Sequence, residues 1–309
     1  MTDLSIIIVN WNTRDLLRQC LRSIFACVTG MEFDVWVVDN ASTDRSGEMV
    51  SAEFPQVHLI PSSENVGFAR ANNLALKACQ GDVICLLNPD TIVFPGTLTY
   101  LVDFIQRNHN AGFCGPRILN PDQTLQQSWD SFPTLLMEIM PFSIRKYLAR
   151  HKLINQRYAG WTDPYQEPVI VDWVKGACLV FRRAIVDKIG ALDEDFFMYA
   201  EEMDWCLRGV QAGLSTWYLP EVSIVHYDRA ASSQVPARVY LDFYKSKLLF
   251  FRKHHGAITN LVLRGYLMIK CLYFALFIQR SPLLASNPTI SVKEGRNLYF
   301  KTLLLAGRG

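Results

Sequence analysis

Residues 4–12 read Leu4-Ser5-Ile6-Ile7-Ile8-Val9-Asn10-Trp11-Asn12, an apolar run that ends abruptly in polar side chains. The run has the length and β-branched content of a buried strand, and from Asn12 or Thr13 the chain repeats apolar residues at helical spacing to about Cys27. This alternation continues to residue 87, with strands predicted at 34–38, 57–61 and 83–87 and helices at 46–53 and 68–79. Continuous apolar strands separated by helices predict an α/β fold, with a mostly parallel central sheet and helices on both faces.

Polar residues follow three of these strands at the point where each one ends. The first strand leads into Asn10-Trp11-Asn12, the second into Asp39-Asn40-Ala41-Ser42-Thr43-Asp44, and the fourth into Asn88-Pro89-Asp90. Because open α/β sheets bind ligands at the carboxyl ends of their strands, we expect a ligand site at this edge. No GxGxxG segment follows the first strand, which argues against a dinucleotide-dependent dehydrogenase.

The composition is that of a globular protein, because 50% of the 309 residues are hydrophobic and 19% are charged. The formal net charge of +2 conceals an asymmetry along the chain. Residues 231–309 contain 12 Lys and Arg but 2 Asp and Glu, a balance of +10 that leaves −8 for residues 1–230. We therefore expect an acidic body and a basic tail that could face phosphate groups.

Eight cysteines are scattered without a CxxC pair, and most lie inside apolar runs. This pattern is typical of buried free thiols in a reducing compartment rather than of disulfides or a zinc site. The N-terminal apolar run is far too short for a secretory signal, so we expect a cytoplasmic protein.

The second half of the chain contains shorter elements and then a tail of different character. After a loop-rich middle over residues 116–168, strands are predicted at 169–171, 177–181 and 222–225, and a helix at 201–212. Residues 240–255 form a predicted basic, aromatic helix, and 261–278 are strongly apolar except at Arg264, Gly265 and Lys270. Two cations near the middle of a bilayer would cost about 2.5–3.5 kcal/mol each, which favours an interfacial or packed helix over a span. We predict one domain over residues 1–235 and a helical membrane-interface or acceptor-side segment over 236–309.

Two residues at strand ends are candidate metal ligands. Pro89 would project Asp90 past the sheet edge, where a carboxylate suits Mg²⁺ or Mn²⁺, although Asn-Pro-Asp is also an ordinary turn. His226 directly follows an apolar strand, a position at which a structural histidine is also common. If both bind one cation, their side chains must lie on the same side of the sheet and close together.

Three carboxylates occur at the start of the predicted helix over 201–212, in the sequence Glu201-Glu202-Met203-Asp204. The helix dipole would favour one or two of them at this end without any catalytic role. They follow a dense apolar and aromatic run, however, and a carboxylate beside such a surface has the raised pKa of a general base. Asp204 and Arg208 are four residues apart and are predicted to pair.

Taken together, six ordered segments resemble family 2 of the inverting glycosyltransferases, and within it the rhamnosyltransferase-like and galactofuranosyltransferase-like enzymes. The similarity covers roughly residues 4–255, and the segments that carry it are 8–12, 38–44, 65–73, 87–90, 173–178 and 196–204. The resemblance implies a GT-A fold, a nucleotide-diphosphate sugar donor, a divalent metal and direct displacement with inversion at the anomeric carbon.

The resemblance also implies roles for individual residues. Asp39 would bind the nucleoside, Asp90 and His226 the metal, and Glu202 would deprotonate the acceptor hydroxyl, with Glu201 as a rival for that role. Gly67 would allow the backbone to approach the nucleotide closely. Positions matched to the nucleotide pocket are Val9, Asn10, Asn12, Asp39, Asn65, Gly67, Asn72 and Asn88, and positions matched to the acceptor side are Trp173, Gly176, Ala177 and Asp204.

The sequence departs from the family pattern at two positions. Asn88 replaces the first aspartate of the DxD motif, and Glu202 replaces the aspartate of the base motif. No QxxRW motif occurs, which argues against a processive synthase.

The sequence thus predicts transfer of one sugar, rhamnose or a similar deoxyhexose by preference, to a polyprenyl-linked precursor of a surface glycan. We expect peripheral contact with the inner face of the plasma membrane and no nucleic-acid partner. Two alternatives remain: a sugar-1-phosphate nucleotidyltransferase, which should carry a Gly-rich basic loop after the first strand, and a non-catalytic scaffold that binds nucleotide-sugar or lipid.

Overall fold

The computed structural model describes residues 2–151, 163, 165–228, 234–286 and 289–307. The chain divides into two compact units, the first comprising residues 1–132, 160–197 and 201–231 and the second residues 133–159, 198–200 and 232–309. The longest segment of the second unit begins near the expected boundary at residues 235 and 236, and two short earlier segments join it.

The first unit opens with the alternation of strands and helices that the sequence predicts. Its elements up to residue 119 are β1 (Leu4–Asn10), α1 (Arg14–Cys27), β2 (Phe33–Asp39), α2 (Ser46–Glu53), β3 (His58–Pro61), α3 (Phe68–Ala78), β4 (Val83–Leu87), β5 (Thr91–Val93), α4 (Thr97–Arg107) and β6 (Ala111–Leu119). Every residue of β1 is buried, and α1 packs Leu17, Leu21 and Ile24 into the same core. Full burial of one such side chain contributes about 1.5–3 kcal/mol, so this helical face is held firmly against the sheet.

Beyond residue 119 the first unit is built from shorter strands. Its remaining elements are β7 (Leu125–Gln126), β8 (Trp129–Asp130), β9 (Val169–Val171), β10 (Trp173–Val174), β11 (Cys178–Arg182), α7 (Ala184–Ile189), α8 (Glu201–Gln211) and β12 (Ser215–His226). The expectation of a loop beginning at Pro116 was wrong, because β6 continues to Leu119. Proline normally interrupts a strand, and here the neighbouring β12 changes register between Leu219, which pairs with Pro116, and Ser223.

One mixed sheet organises the described part of the first unit. Its strands run in the order β3-β2-β1-β4-β11-β6-β12-β5, with β7 beside β6 and β9 beside β12. The pairs β3–β2, β2–β1, β1–β4 and β6–β12 are parallel, whereas β11, β5, β7 and β9 pair antiparallel with their neighbours. The predicted α/β class with a mostly parallel central sheet and a helical tail is confirmed.

The second unit is helical in its described residues. It contains α5 (Leu135–Ile139), α6 (Phe142–Arg150), α9 (Pro236–His254), α10 (Gly256–Leu276), a 3-10 turn at Ile278–Arg280, α11 (Pro282–Ser286) and α12 (Val292–Gly307). Its core includes Cys271, Ala275, Leu298 and Tyr299, from α10 and α12. All eight cysteines of the chain are free and seven of them are buried, which confirms the expected free thiols.

Helix α10 has one buried and one exposed face, and both are apolar. Leu263, Leu267, Cys271 and Ala275 point into the second unit. The opposite face exposes large apolar side chains: Ile258, Leu261, Val262, Met268, Ile269, Leu272, Tyr273 and Leu276. Within the described part of the chain, α10 is the one helix long and apolar enough to cross a membrane.

Candidate functional site

The sheet brings Asp90 and His226 together. Asp90 follows β4 and directly precedes β5, and β5 pairs antiparallel with the end of β12, so that Thr91 lies opposite His226. The Tyr227 amide donates to the Asp90 carbonyl oxygen at 2.9 Å, which closes this end of the ladder. In consequence His226 Nε2 lies 3.2 Å from Asp90 Oδ1, and both side chains are largely buried. The expected proximity of the two side chains is confirmed, and their role as metal ligands remains a proposal.

The donor set of this pair suits a divalent cation. An imidazole nitrogen and a carboxylate oxygen face each other, and Asn88 Nδ2 lies 3.2 Å from the same imidazole nitrogen. Among the described residues no group of three or more His, Cys, Asp or Glu side chains could hold a metal ion. A site with two protein ligands nevertheless fits Mg²⁺ or Mn²⁺, because such ions commonly complete their coordination with substrate phosphates and water.

The two glutamates at the start of α8 have different environments. Glu201 is 5% exposed, and burial, followed by the neighbouring charge of Glu202, raises its pKa well above the ordinary value. Glu202 is partly exposed, and its Oε1 accepts a long hydrogen bond of 3.4 Å from the Gly176 amide. The Oε2 atoms of both residues are buried and have no hydrogen-bond partner among the described residues. Glu202 is therefore the better placed of the two to receive a proton from a substrate.

The backbone just before α8 is strained. Tyr199 and Ala200 have φ angles of 71° and 69°, in the left-handed region that non-glycine residues seldom adopt. Such conformations cost about 1–3 kcal/mol each and concentrate at functional sites. Tyr199 and Ala200 directly precede Glu201, the first residue of α8.

The residues predicted for the acceptor side form the surroundings of Glu202. The Trp173 indole donates to the Ser131 carbonyl at 3.1 Å, and the Lys175 ammonium group lies 4.2 Å from the centre of the Trp173 ring. Burial lowers the pKa of Lys175, and the nearby carboxylates of Asp130, Glu202 and Asp228 oppose this shift. Lys175 therefore lies within electrostatic reach of Glu202.

Two other predicted acceptor-side residues make structural contacts. The Ala177 carbonyl accepts from the Asn88 amide at 3.0 Å, which links β11 to the end of β4. Asp204 accepts from Arg208 Nε at 2.7 Å, so the predicted i,i+4 pair is confirmed. Arg208 also donates to the carbonyls of Ile189 and Ala191 and thereby anchors the end of α7. The acceptor-side roles stay predictions.

The polar loops after β1 and β2 are joined by hydrogen bonds. The Asn10 amide donates to Asp39 Oδ1 at 3.3 Å and to the Ser42 hydroxyl at 3.0 Å, and Asn12 Oδ1 accepts from the Thr43 amide at 2.7 Å. Asn10 is fully buried, whereas Asp39 is partly exposed. Asn10 thus orients Asp39, whose carboxylate is partly exposed, and the predicted contact of Asp39 with the nucleoside stays a prediction.

The segment over residues 65–73 is organised by Asn40. Its side chain donates to Asn65 Oδ1 and to the Gly67 carbonyl, and accepts from the Val66 amide. Gly67 has a φ of 89°, and a Cβ there would lie 2.5 Å from the Phe197 carbonyl oxygen. The structure therefore shows a close approach to Phe197 that requires glycine, and the approach to the nucleotide that the resemblance implies stays a prediction.

Two further predicted nucleotide contacts are buried in the structure. Val9 lies inside β1, and the Asn72 amide donates to the Phe68 carbonyl within α3 at 2.9 Å. Their predicted roles in nucleotide binding remain untested, but both side chains contribute to the packing of the first unit.

The structure adds residues that the sequence did not single out. Gln126 Oε1 accepts from His226 Nδ1 at 2.6 Å, and nothing in the local sequence around β7 signals that contact. Lys175 and Asn40 lie inside two of the segments that carry the family resemblance, 173–178 and 38–44, so both could have been proposed from the sequence. In the structure Lys175 lies near Glu202, and Asn40 donates to Asn65.

A carboxylate and an imidazole that face each other lie in the same α/β unit as a partly exposed glutamate, an arrangement that suits metal-assisted group transfer. The family model for "Glycosyl transferase family 2" matches residues 5–167, more than half of the chain, and the chain belongs to this family. It is therefore a glycosyltransferase, and this membership favours that class over the nucleotidyltransferase and the scaffold.

Two similar proteins are named as rhamnosyltransferases. The chain is 27% identical over 292 residues to N-acetylglucosaminyl-diphospho-decaprenol L-rhamnosyltransferase of Mycobacterium tuberculosis, covering 87% of this chain and 94% of the relative. It is 27% identical over 169 residues to rhamnosyltransferase WbbL of Escherichia coli, covering 52% and 61% of the two chains.

A solved structure shares the fold. The mannosyltransferase PcManGT from Pyrobaculum calidifontis, in complex with GDP-Man and Mn²⁺, matches with a TM-score of 0.56 and 15% identity, covering 99% of this chain and 88% of that one. The fold is therefore GT-A, as the motif resemblance implied.

Proposed function

We propose that this glycosyltransferase moves L-rhamnose, or a similar deoxyhexose, from a nucleotide-diphosphate donor to a hydroxyl of a polyprenyl-diphosphate-linked glycan precursor, with inversion at the anomeric carbon. The relatives named for rhamnosyl transfer, one of them onto a decaprenol-linked sugar, support this choice of donor and acceptor. The observation that carries the proposal is the facing pair Asp90 and His226 at 3.2 Å, in the same unit as Glu202.

Each part of the reaction has a candidate group in this chain. Glu202 takes the proton of the acceptor hydroxyl, Asp39 binds the nucleoside, and Asp90 and His226 hold Mg²⁺ or Mn²⁺. The bound ion supplies neutralising charge for the departing diphosphate. Because a single displacement needs no enzyme nucleophile, a base on the acceptor side and cation ligands on the donor side are sufficient.

A panel of nucleotide-sugars tests the donor. With Mn²⁺ present, dTDP-rhamnose at 100 times its dissociation constant should stabilise the protein by about 2.7 kcal/mol, seen as a higher melting temperature. It should also be transferred to a synthetic prenyl-diphosphate acceptor that carries N-acetylglucosamine. Stabilisation and transfer with GDP-mannose or UDP-galactofuranose instead would leave the enzyme class intact and show that the choice of rhamnose is wrong.

We further propose that the enzyme works at the cytoplasmic face of the plasma membrane and contacts lipid through the exposed face of α10. That face presents exposed apolar side chains over residues 258–262 and 268–276, while Arg264 turns inward to the Ala306 carbonyl at 3.0 Å and Lys270 is half-buried. The two cations that would oppose membrane insertion are thus absent from the surface that would meet the lipid. The basic balance of residues 231–309 supports contact with anionic headgroups.

Charged substitutions on this face should release the protein from membranes. Leu261 and Ile269 are 69% and 73% exposed, so Leu261→Asp together with Ile269→Asp should leave the fold intact. Each lost apolar contact with lipid removes up to about 1.5–3 kcal/mol, so sedimentation with anionic vesicles should fall at least tenfold.

Ile170→Asp, at a residue of β9 that is 59% exposed, is the matched control and should sediment as the wild type does. Substitution is a sharper test than truncation after residue 257, since truncation would also remove the α10 and α12 side chains that form the core of the second unit. Equal sedimentation of the double variant and the wild type at low salt would contradict the proposed contact.

A further inference from the structure

Gln126 forms the shortest contact of the His226 side chain. Its Oε1 lies 2.6 Å from His226 Nδ1, on the side of the ring opposite Asp90 and Asn88. Gln126 ends the two-residue strand β7 and is held opposite Ile118 of β6. We propose that Gln126 is a positioning residue that fixes the tautomer and the ring orientation of His226, so that Nε2 presents its lone pair beside Asp90 to a divalent cation. This inference rests on the proposed metal site.

The hydrogen bonds around Gln126 determine which end of its amide faces the histidine. Gln126 Nε2 donates to the His226 carbonyl oxygen at 3.2 Å and to Asn120 Oδ1 at 2.9 Å. A backbone carbonyl can only accept, so the NH₂ group must be on that side. The oxygen of the amide is therefore the atom directed at the imidazole ring.

The next residue outward is fixed by the same reasoning. Asn120 Nδ2 donates to the Thr124 hydroxyl at 2.9 Å and to the Leu125 carbonyl at 3.4 Å, which leaves Asn120 Oδ1 to accept from Gln126. The turn itself is closed by the Asn120 amide, which donates to the Thr124 carbonyl at 2.8 Å. A short hairpin thus carries a chain of amides whose orientations all depend on backbone groups.

An amide oxygen facing Nδ1 requires a hydrogen on that nitrogen. In the neutral ring the other nitrogen, Nε2, is then unprotonated, and it is the atom 3.2 Å from Asp90 Oδ1. Two atoms that both carry lone pairs face each other there. Asn88 Nδ2, 3.2 Å from Nε2, can donate to that nitrogen in the metal-free protein, and a cation beside Asp90 would take the place of this donor. Ligating histidines commonly donate their second ring N–H to a carbonyl or carboxylate, and loss of that partner typically weakens metal binding by about 10–100-fold.

The test removes the acceptor oxygen while keeping the length of the side chain. Gln126→Met should bind Mn²⁺ about 10–100-fold more weakly than the wild type, measured by calorimetry in the presence of dTDP. Gln106→Met is the matched control, because Gln106 is an exposed residue of α4, and it should bind Mn²⁺ as the wild type does. Circular dichroism confirms folding of both variants before titration.

A spectroscopic measurement separates positioning from general stability. Nitrogen NMR of protein labelled at histidine should show His226 as the Nδ1–H tautomer in the metal-free wild type, and a mixture or the Nε2–H tautomer in Gln126→Met. Asn120→Ala, which loosens the Gln126 amide without removing its oxygen, should give a smaller loss of Mn²⁺ affinity.

The outcomes distinguish the positioning role of Gln126 from the metal site at Asp90 and His226 on which it rests. If the wild type binds no Mn²⁺ with dTDP, both the metal site and the role of Gln126 are overturned. If the wild type binds Mn²⁺ and Gln126→Met binds it equally tightly, the metal site stands and the positioning role is wrong. An Nε2–H tautomer in the metal-free wild type would overturn the inference independently of any metal titration.

Discussion

Replacing Glu202 with glutamine should lower the turnover of glycosyl transfer by about 10²–10⁴-fold, the range usual for loss of a general base. The change keeps the size of the side chain and the contact from the Gly176 amide, but an amide cannot accept the acceptor's proton. Donor binding should barely change, because the lost interaction acts mainly in the transition state. Steady-state kinetics with saturating acceptor, together with donor titration by calorimetry, measure the two quantities separately.

Glu201→Gln is the matched control for that experiment. Burial and the neighbouring Glu202 raise the pKa of Glu201, so this carboxyl holds its proton to a higher pH in the folded protein than in the unfolded chain. Near-normal turnover is therefore expected. The unfolded chain releases the Glu201 proton at lower pH. The free energy of unfolding of the wild type should therefore fall as the pH rises from the unfolded pKa of Glu201 towards its folded pKa. Glu201→Gln should lack this pH dependence.

The alternatives make opposite predictions for the two glutamates. If both side chains only favour the N-terminus of α8, each substitution should cost about 0.3–1 kcal/mol of stability and leave turnover near normal. A collapse of turnover in Glu201→Gln beside a functional Glu202→Gln would show that Glu201 is the base. Glu201 is more buried than Glu202, and this is the structural reason to expect that Glu202, rather than Glu201, is the base.

The parallel half of the sheet could be predicted because local sequence and tertiary environment agree there. Residues 6–9 of β1 and all residues of β4 are apolar, and α1 repeats its apolar positions at helical spacing, so burial on both faces of a sheet is the arrangement that hides them all. The pairing of β5 with β12 could not be read in this way, since a three-residue strand carries no periodicity. The proximity of Asp90 and His226 was therefore expected only because both follow strands. The distance between their side chains depends on the pairing of β5 with β12, which the structure shows.

Contacts between distant side chains account for most of what the sequence did not predict. Gln126 and His226 are 100 residues apart, and their contact depends on a hairpin held by side-chain amides. The sequence also did not predict that Gly67 packs against Phe197, 130 positions later in the chain, at a distance that leaves no room for a Cβ. The apolar composition of α10 could be read from the sequence, but only the packing shows that Arg264 faces inward and that the exposed face is apolar.

Asp90→Asn should abolish most of the metal-dependent activity while preserving the fold. The amide keeps the shape of the side chain and can donate to His226 Nε2, which lies 3.2 Å from Asp90 Oδ1, so the metal-free protein should remain stable. What is lost is the anionic ligand of the cation that neutralises the departing diphosphate, an effect worth several kcal/mol. At 1.36 kcal/mol for each tenfold change, turnover should fall by about 10²–10³-fold.

An aspartate with only a structural role would behave differently, so Asp90→Asn is tested by metal binding as well as by kinetics. Thermal stabilisation by Mn²⁺ with dTDP should disappear in Asp90→Asn and persist in Asp103→Asn, which changes an exposed aspartate paired with Arg107 on α4. If Asp90 only closes the turn between β4 and β5, its substitution should lower the melting temperature without altering the Mn²⁺ response. Retention of both turnover and Mn²⁺ stabilisation would remove Asp90 from the donor site. Because the Asn88 position carries an amide in place of the family's first aspartate, the cation has no second carboxylate in the DxD segment to replace Asp90, and this is why the loss should be large.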